Sequence, residues 1–322
     1  MLNQEIIPPV DTRLIEAELT PERFLRKTNK GHNLIYVVDA HCAPNVMREI
    51  GRLREIAFRA AGGGTGKSED IDEFDTMTPP CRQLIVWDPD ARLILGGYRF
   101  ILGPDIQILS GGVPRIATAH MFRFSPEFIT RYLPGTIELG RSFVRLEYQS
   151  SRAGAKALFA LDNLWDGLGA LTVIYPGIKY LFGKMTMYPS YSRDCRNMIL
   201  YFLEKYFPDT ECLVTPIEPL DTHMDTAALQ NLFTGSTFDE DYRILNKAVR
   251  SYGFNIPPLV NAYMSLSPTM KVFGTAINNE FGDVEETGIF FAISEIFEEK
   301  KRRHIGTFDK ACPLSDDIDA AF

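Results

Sequence analysis

The sequence predicts an α/β fold built on a mixed, mostly antiparallel sheet flanked by helices. Three observations carry that expectation. Two β-rich runs, "RQLIVWD" (82–88) and "RLILGGYRFILG" (92–103), are joined by the turn "PDA" and read as a hairpin. From Thr136 to Phe207 strand and helix patterns alternate as β-α-β-α. The 322 residues are 45% hydrophobic and 24% charged, with no linker, repeat or low-complexity segment. A chain of that size buries roughly three-quarters of its unfolded surface. One domain over 1–322 is expected, with a core of about 33–207, a C-terminal elaboration over 208–305 and a loose acidic tail over 306–322.

The elements follow in order. "NLIYVVDA" (33–40) is a first strand. Val46, Ile50, Leu53, Ile56, Ala57 and Phe58 fall at helical spacing, so Asn45 to Ala60 is a helix. "AGGGTGKS" (61–68) ends that helix at glycine and opens a loop. "EDIDEFD" (69–75) adds five acids in seven residues. Gly96-Gly97, inside the second hairpin strand, imply a bulge or a close backbone approach. Thr136–Gln149 is a strand with charges among its apolar residues. Gly154–Tyr175 is helical and Lys179–Met187 is a strand. Ser192 caps a helix running to Phe207. The texture is then irregular up to a charged helix, Asp239–Gly253. "PPLVNAYMSLS" starts a helix with proline in its first turn. "KVFGTAIN" and "GIFFAIS" are the last two strands.

Composition excludes several classes of function. A net charge of -8 leaves no basic footprint for nucleic acid. "AGGGTGKS" matches the loose pattern of a phosphate-cradling P-loop. Such a loop needs a strand before it and a helix at its Lys-Ser, whereas a helix precedes this one and acids follow it. Cys42, Cys81, Cys195, Cys212 and Cys312 show no metal-knuckle spacing and are odd in number, which fits a reducing, cytoplasmic compartment. The histidines are scattered, and no metal is expected. The N-terminus lacks the apolar core of a signal peptide. The longest apolar stretch, Leu168–Gly183, is broken by Pro176, Gly177 and Lys179 and falls short of the ~20 residues of a spanning helix. Peripheral contact with the inner membrane face stays open.

Several charges sit where a sheet protein is normally apolar. Arg54 lies one turn before Phe58. Asp72 and Asp75 flank Phe74. Arg99 stands inside "GGYRFIL", and Glu138 and Arg141 inside "IELGRSFV". If buried, these groups must pair. Two readings stand side by side: a structural ion-pair network, or the lining of a catalytic cleft. Glu138 is singled out because it is mid-sheet. A carboxylate in a partly dry cleft has a raised pKa and can take a proton from an amine.

In this order and spacing, "RLREIAF", "DIDEFD", "GGYRF" and "IELGRSFV" resemble the N-acyltransferases of the acyl-homoserine-lactone synthase type. They are closer still to the hemolysin-like ornithine-acyl-carrier-protein N-acyltransferases. Both are variants of the GNAT acetyltransferase fold. The resemblance runs from about Asn33 to Ile305. It implies transfer of a long-chain fatty acyl group, 3-hydroxylated or not, from acyl carrier protein to the α-amine of ornithine or glycine. The product would be an N-acyl amino acid for an amino-acid lipid. It implies Glu138 as general base, with Arg141 beside it, and Arg54, Phe58, Asp72, Asp75 and Arg99 around the substrate. Oxyanion donors are expected from the backbone near Ser142 and Phe143, where two strands splay. Phe58, Phe143, Phe159, Trp165 and Phe182 are candidate tunnel walls, with plain core packing as the alternative reading of each.

Two departures matter. Coenzyme A-dependent relatives carry an Arg/Gln-x-x-Gly-x-Gly/Ala loop, and "QSSRAGAKA" lacks that spacing. Arg152 and Lys156 remain as contacts for a single phosphate, which favours a phosphopantetheine thioester on a carrier protein over acyl-CoA, with no permanently bound cofactor. The glycine loop also replaces the bulky aromatic of lactone synthases. The alternatives are a lactone-synthase-like or other GNAT amine acyltransferase, and a non-catalytic binding protein on the same scaffold.

Overall fold

The structure, a computed structural model, describes residues 3–149 and 155–308, and of 155–158 the backbone alone. The strands among them are β1 (Phe24–Lys27), β2 (Leu34–Val38), β3 (Arg82–Asp88), β4 (Leu93–Leu102), β5 (Phe122–Phe124), β6 (Thr136–Val144), β7 (Tyr180–Met187), β8 (Val214–Pro216), β9 (Lys271–Asn278) and β10 (Val284–Ala292). The helices are α1 (Thr12–Glu18), α2 (Pro44–Ala61), α3 (Glu73–Thr76), α4 (Ala155–Ile174), α5 (Arg193–Tyr206), α6 (Thr226–Leu232), α7 (Phe238–Ser251), α8 (Pro258–Met264) and α9 (Glu298–His304).

Eight strands form one sheet in the order β1-β2-β3-β4-β6-β7-β10-β9, and β5 pairs with β8 apart from it. Every neighbouring pair in the large sheet is antiparallel except β6–β7. A parallel pair needs a long crossover, and α4 supplies it. That parallel pairing is short. It joins Thr136 to Tyr180, Ile137 to Leu181 and Glu138 to Phe182, then stops. Beyond Glu138 the strands part: β6 continues along β4 and β7 along β10. The sheet is thus split at its centre, and the split begins at Glu138.

Each face carries its own core. On one, α2 packs Val46, Ile50, Leu53 and Phe58 against Tyr36, Ile85 and Phe143. On the other, α4, α5, α7 and α8 bring Leu164, Leu168, Ile199, Leu245 and Val260 onto Leu84, Phe100, Leu139 and Leu181. Helix α2 holds Pro44 in its first turn and stops at Gly62, whose left-handed φ of 96° lets its N–H reach back to Phe58 and Arg59 carbonyls. Gly96 answers the expectation of a close approach. A Cβ there would stand 2.5 Å from the Phe143 carbonyl oxygen, and the β4–β6 register slips between Gly97 and Arg99.

Some elements escape the sequence reading. β1, α1, the β5–β8 pair, α6 and α9 are short, with little room for periodicity. β10 starts at Val284, before the expected Gly288, because Glu285 and Glu286 mask its start. β6 ends at Val144, and Leu146–Tyr148 is a 3-10 turn. β9 and β10 join the central sheet through β7, so part of the expected C-terminal elaboration belongs to the same sheet as the core. The acidic tail beyond 308 lies outside the described residues.

Candidate active site

The glycine loop holds an anion of its own. Its Thr65 N–H (3.1 Å) and Thr65 hydroxyl (2.8 Å) donate to one oxygen of Glu55, and the Gly66 N–H (2.8 Å) donates to the other. Glu55 is fully buried and also accepts from Arg59 at 2.7 Å. The backbone donors that would cradle a phosphate are occupied by a carboxylate from the preceding helix, while Lys67 is exposed. The loop is a strap closing α2, which is the physical reason the P-loop pattern does not make a nucleotide site.

The strap leads into the acid segment, where the mid-strand charges converge. Arg54 donates to Asp75 at 3.2 Å and to the Gln83 side-chain oxygen, and Gln83 donates to Asp75 at 2.9 Å. Arg99 bonds Asp72 at 2.6 Å and lies 3.4 Å from Asp75. Arg141 bonds Asp70 at 2.9 Å and approaches Asp72 at 3.4 Å. Three arginines, from α2, β4 and β6, and three aspartates of the acid segment form one connected network. Each ion would cost several kcal/mol to bury alone, so the pairing is obligatory. The single turn of α3 exists through these acids: Asp72 accepts from the Phe74 and Asp75 N–H groups, and Asp75 accepts from that of Asp72. Burial works to raise the Asp72 carboxyl, but Arg99 and Arg141 together hold it far below the ordinary range. For Asp70 burial wins over Arg141 and Arg54, and its carboxyl is raised.

Glu138 sits at the narrow end of the split. It lies opposite Ile101 of β4 and level with Phe182 of β7, on the face that carries Arg99. It is 2% exposed. Burial pushes its carboxyl up, against the pull of Arg99 and Lys184. A cavity of about 440 Å³ fills the gap beyond it. Phe58, Arg141, Tyr188 and Phe281 line it on the α2 side, and Trp165, Leu181, Tyr263 and Phe291 on the other. The cavity therefore runs between β6 and β7 from one face of the sheet to the other. Arg141 and Ser142 fall at the register slip with β4, between the Gly97–Phe143 and Arg99–Gly140 pairs, and past the last pair with β7. Arg141 takes a φ of 49°, rare for a side chain that is not glycine, and its guanidinium lies 4.4 Å over the Phe281 ring.

The site residues expected from sequence divide into three groups. Phe58, Arg141, Ser142, Trp165 and Phe182 line the cavity. Arg54, Asp72, Asp75 and Arg99 form the network behind Arg141 and do not line it, and the buried Glu138, level with Phe182 at the end of the gap, does not line it either. Phe143 packs with α2, its backbone in register with Gly97, and Phe159 lies under the Lys30 ammonium at 5.1 Å; neither reaches the cavity, so as tunnel walls both are corrected. Arg152 lies outside the described residues, as does the side chain of Lys156.

Sequence reasoning passed over Asp70 and Gln83. It also passed over a buried pair on the cavity wall, Lys184 of β7 bonded to Glu286 of β10. Among the described residues no cluster of three or more His, Cys, Asp or Glu side chains is arranged to hold a metal ion. No helix among them is long and apolar enough to cross a membrane.

Comparison with known proteins adds to this geometry. Residues 53–158 match the family described as an acetyltransferase (GNAT) domain. A glycine N(alpha)-acyltransferase of Bacteroides thetaiotaomicron is 66% identical over 310 residues, which cover 96% of this chain and 92% of the relative. A glycine N(alpha)-acyltransferase of Phocaeicola vulgatus is 63% identical over 310 residues, covering 96% and 95%. Among solved structures, a CoA-dependent acyl-homoserine lactone synthase with SAM and isopentyl-CoA is 12% identical, with a TM-score of 0.35 over 90% of this chain and 98% of that one.

Proposed function

Because the chain belongs to the GNAT acyltransferases, in the family of these two relatives, and is an amino-acid N-acyltransferase, we propose that it joins a long-chain fatty acyl group to the α-amine of glycine. The names of both relatives support glycine as acceptor. So does the charge balance. The three aspartates of the network are matched by three arginines, which leaves no surplus negative charge for the cationic side chain of ornithine. The donor is an acyl thioester on acyl carrier protein. This reading is supported by the apolar side of the cavity and by a "QSSRAGAKA" segment without the glycine spacing of a pyrophosphate loop. The product, an N-acylglycine, is a precursor of an amino-acid lipid. Ile108, Leu109 and Val113, exposed at one hairpin turn, are the surface through which the enzyme would touch a membrane.

The single observation that carries the reading is the split of the sheet at Glu138, with a cavity passing through it. Glycine enters with its amine toward Glu138, which removes one proton directly or through a water molecule. The nitrogen attacks the thioester carbonyl, the C–N bond forms, the C–S bond breaks, and the sulfur leaves as a thiol with the proton. Backbone N–H groups of Arg141 and Ser142, which fall between the Gly97–Phe143 and Arg99–Gly140 pairs, take the oxyanion. Phe143, paired with Gly97, is replaced by Arg141 in that role. A thioester is already activated, so alignment and such donors supply several orders of magnitude in rate.

The test uses purified protein, long-chain acyl carrier protein and single amino acids, reading thiol release and N-acyl product by mass spectrometry. Glycine should give both, with acyl-CoA a poorer donor. Thiol release with ornithine and none with glycine would overturn the acceptor, and none with any amino acid would overturn the reading.

A further inference from the structure

We infer that the buried Lys184–Glu286 pair is the seat of the acceptor's α-carboxylate, an inference that rests on the acyl-transfer reading above. Both side chains are nearly buried, 9% and 4% exposed, yet both form part of the cavity wall. Phe182 is level with Glu138 across the last parallel pair, and Lys184 lies two residues further along β7. The even spacing puts Lys184 on the Glu138 face, at the start of the gap. Its ammonium is close enough to draw the Glu138 carboxyl downward.

Donor counting separates the two partners. Glu286 accepts from Lys184, from Asn278 at 3.2 Å and from Thr186 at 3.4 Å. An ammonium has three donors. Among the described residues Lys184 has one hydrogen-bond partner, Glu286. The anion of the pair has three donors and the cation one acceptor, on a wall that faces a cavity. Arg141 is the other cation on that wall. Its guanidinium is committed to Asp70 and Asp72 and stacks on Phe281. Lys184 is left as the cation with donors to spare.

The chemistry of the acceptor fits this spacing. An α-amino acid carries its amine and its carboxylate on one carbon, so a base and a cation on neighbouring strands, two residues apart in level and on one face, can hold both ends at once. The carboxylate on Lys184 would aim the amine at Glu138 and the thioester. The same contact tells an amino acid from a simple amine, because an acceptor without a carboxylate leaves a buried ammonium under-bonded.

The experiment compares kcat/KM for glycine and for glycinamide, with one acyl donor, in the parent, in Lys184→Met and in the double variant Lys184→Met/Glu286→Met. The double variant replaces a buried ion pair by apolar side chains of similar volume, a change that stability tolerates well. The parent should prefer glycine by about 10- to 100-fold, the worth of a hydrogen bond to a charged group. In the variants that preference should fall to near unity, because KM rises for glycine far more than for glycinamide. Folded variants that retain the preference, or that lose glycine and glycinamide together, would overturn the carboxylate seat alone. A parent that acylates neither compound would instead defeat the acyl-transfer reading on which it stands.

Discussion

Glu138 and Asp72 belong to one charged face and are driven in opposite directions. Burial raises Glu138, whereas Arg99 and Arg141 hold Asp72 low. A base must be ionised to act, so kcat/KM should climb with pH through the raised Glu138 value. Glu138→Gln should lower it by about 10²- to 10⁴-fold and remove that limb of the profile. Unchanged turnover would contradict the role. Stability carries the opposite signs. A carboxyl raised by folding contributes stability that is present below the ordinary Glu range and lost as pH rises through the folded value. Glu138→Gln should therefore be more stable than the parent at neutral pH. A carboxyl held low contributes above the ordinary Asp range and loses its contribution as pH falls, so Asp72→Asn should be less stable at neutral pH. Urea unfolding of both variants at acid and neutral pH reads the pair of signs; the same sign for both would contradict the account. Arg54, Arg99, Glu138 and Arg141 were legible in the sequence because a charge inside an apolar run is an anomaly. Asp70 was one of five acids with nothing to distinguish it. Lys184 reads as an ordinary polar position, and its partner lies 102 residues away.

At the scale of elements, the long strands and helices were legible because their periodicity runs over many residues: α2, β3, β4, α4, β7 and α5 fall within a residue or so of expectation. The geometry of β6 was only half legible. The Gly96-Gly97 pair announced a close approach, but the left-handed Arg141 it faces follows from three strands meeting, which no local pattern encodes. Gly96→Ala should push β4 away from the Phe143 carbonyl and disturb the bulge that frames Arg141 and Ser142. The expected cost is about 1–3 kcal/mol in stability, with a fall in turnover. Gly177→Ala is the control, since a Cβ there meets no atom within 4 Å. Equal behaviour of the two variants would contradict the view that β4 sets the shape of β6. Arg54→Met tests the network. It leaves Asp75 buried without its principal charge partner, at about 3–5 kcal/mol, and a denaturation midpoint equal to the parent's would show the network to be dispensable.

Across the whole molecule, the sheet separates a polar chamber under α2 from an apolar one under α4 and α8, and the split joins them. The sequence implied a cleft with opposite charges in it, but not that the cleft would perforate the sheet, because the length of the β6–β7 pairing depends on how both strands are held by their outer neighbours. A second, smaller cavity of about 20 Å³ shares Trp165 and Leu181 with the main one and continues between Leu168, Leu266 and Ile296. Trp165→Ala should merge the two and move the preferred acyl chain to greater length; an unchanged chain-length profile would place the acyl group elsewhere. The most direct measurement is a crystal structure of the enzyme with a long-chain N-acylglycine bound. The amide should lie in the split beside Glu138, with the alkyl chain on the Trp165 side and the carboxylate on the Arg141 and Lys184 side. A ligand bound on the outer surface, with the gap between β6 and β7 empty of it, would contradict the account.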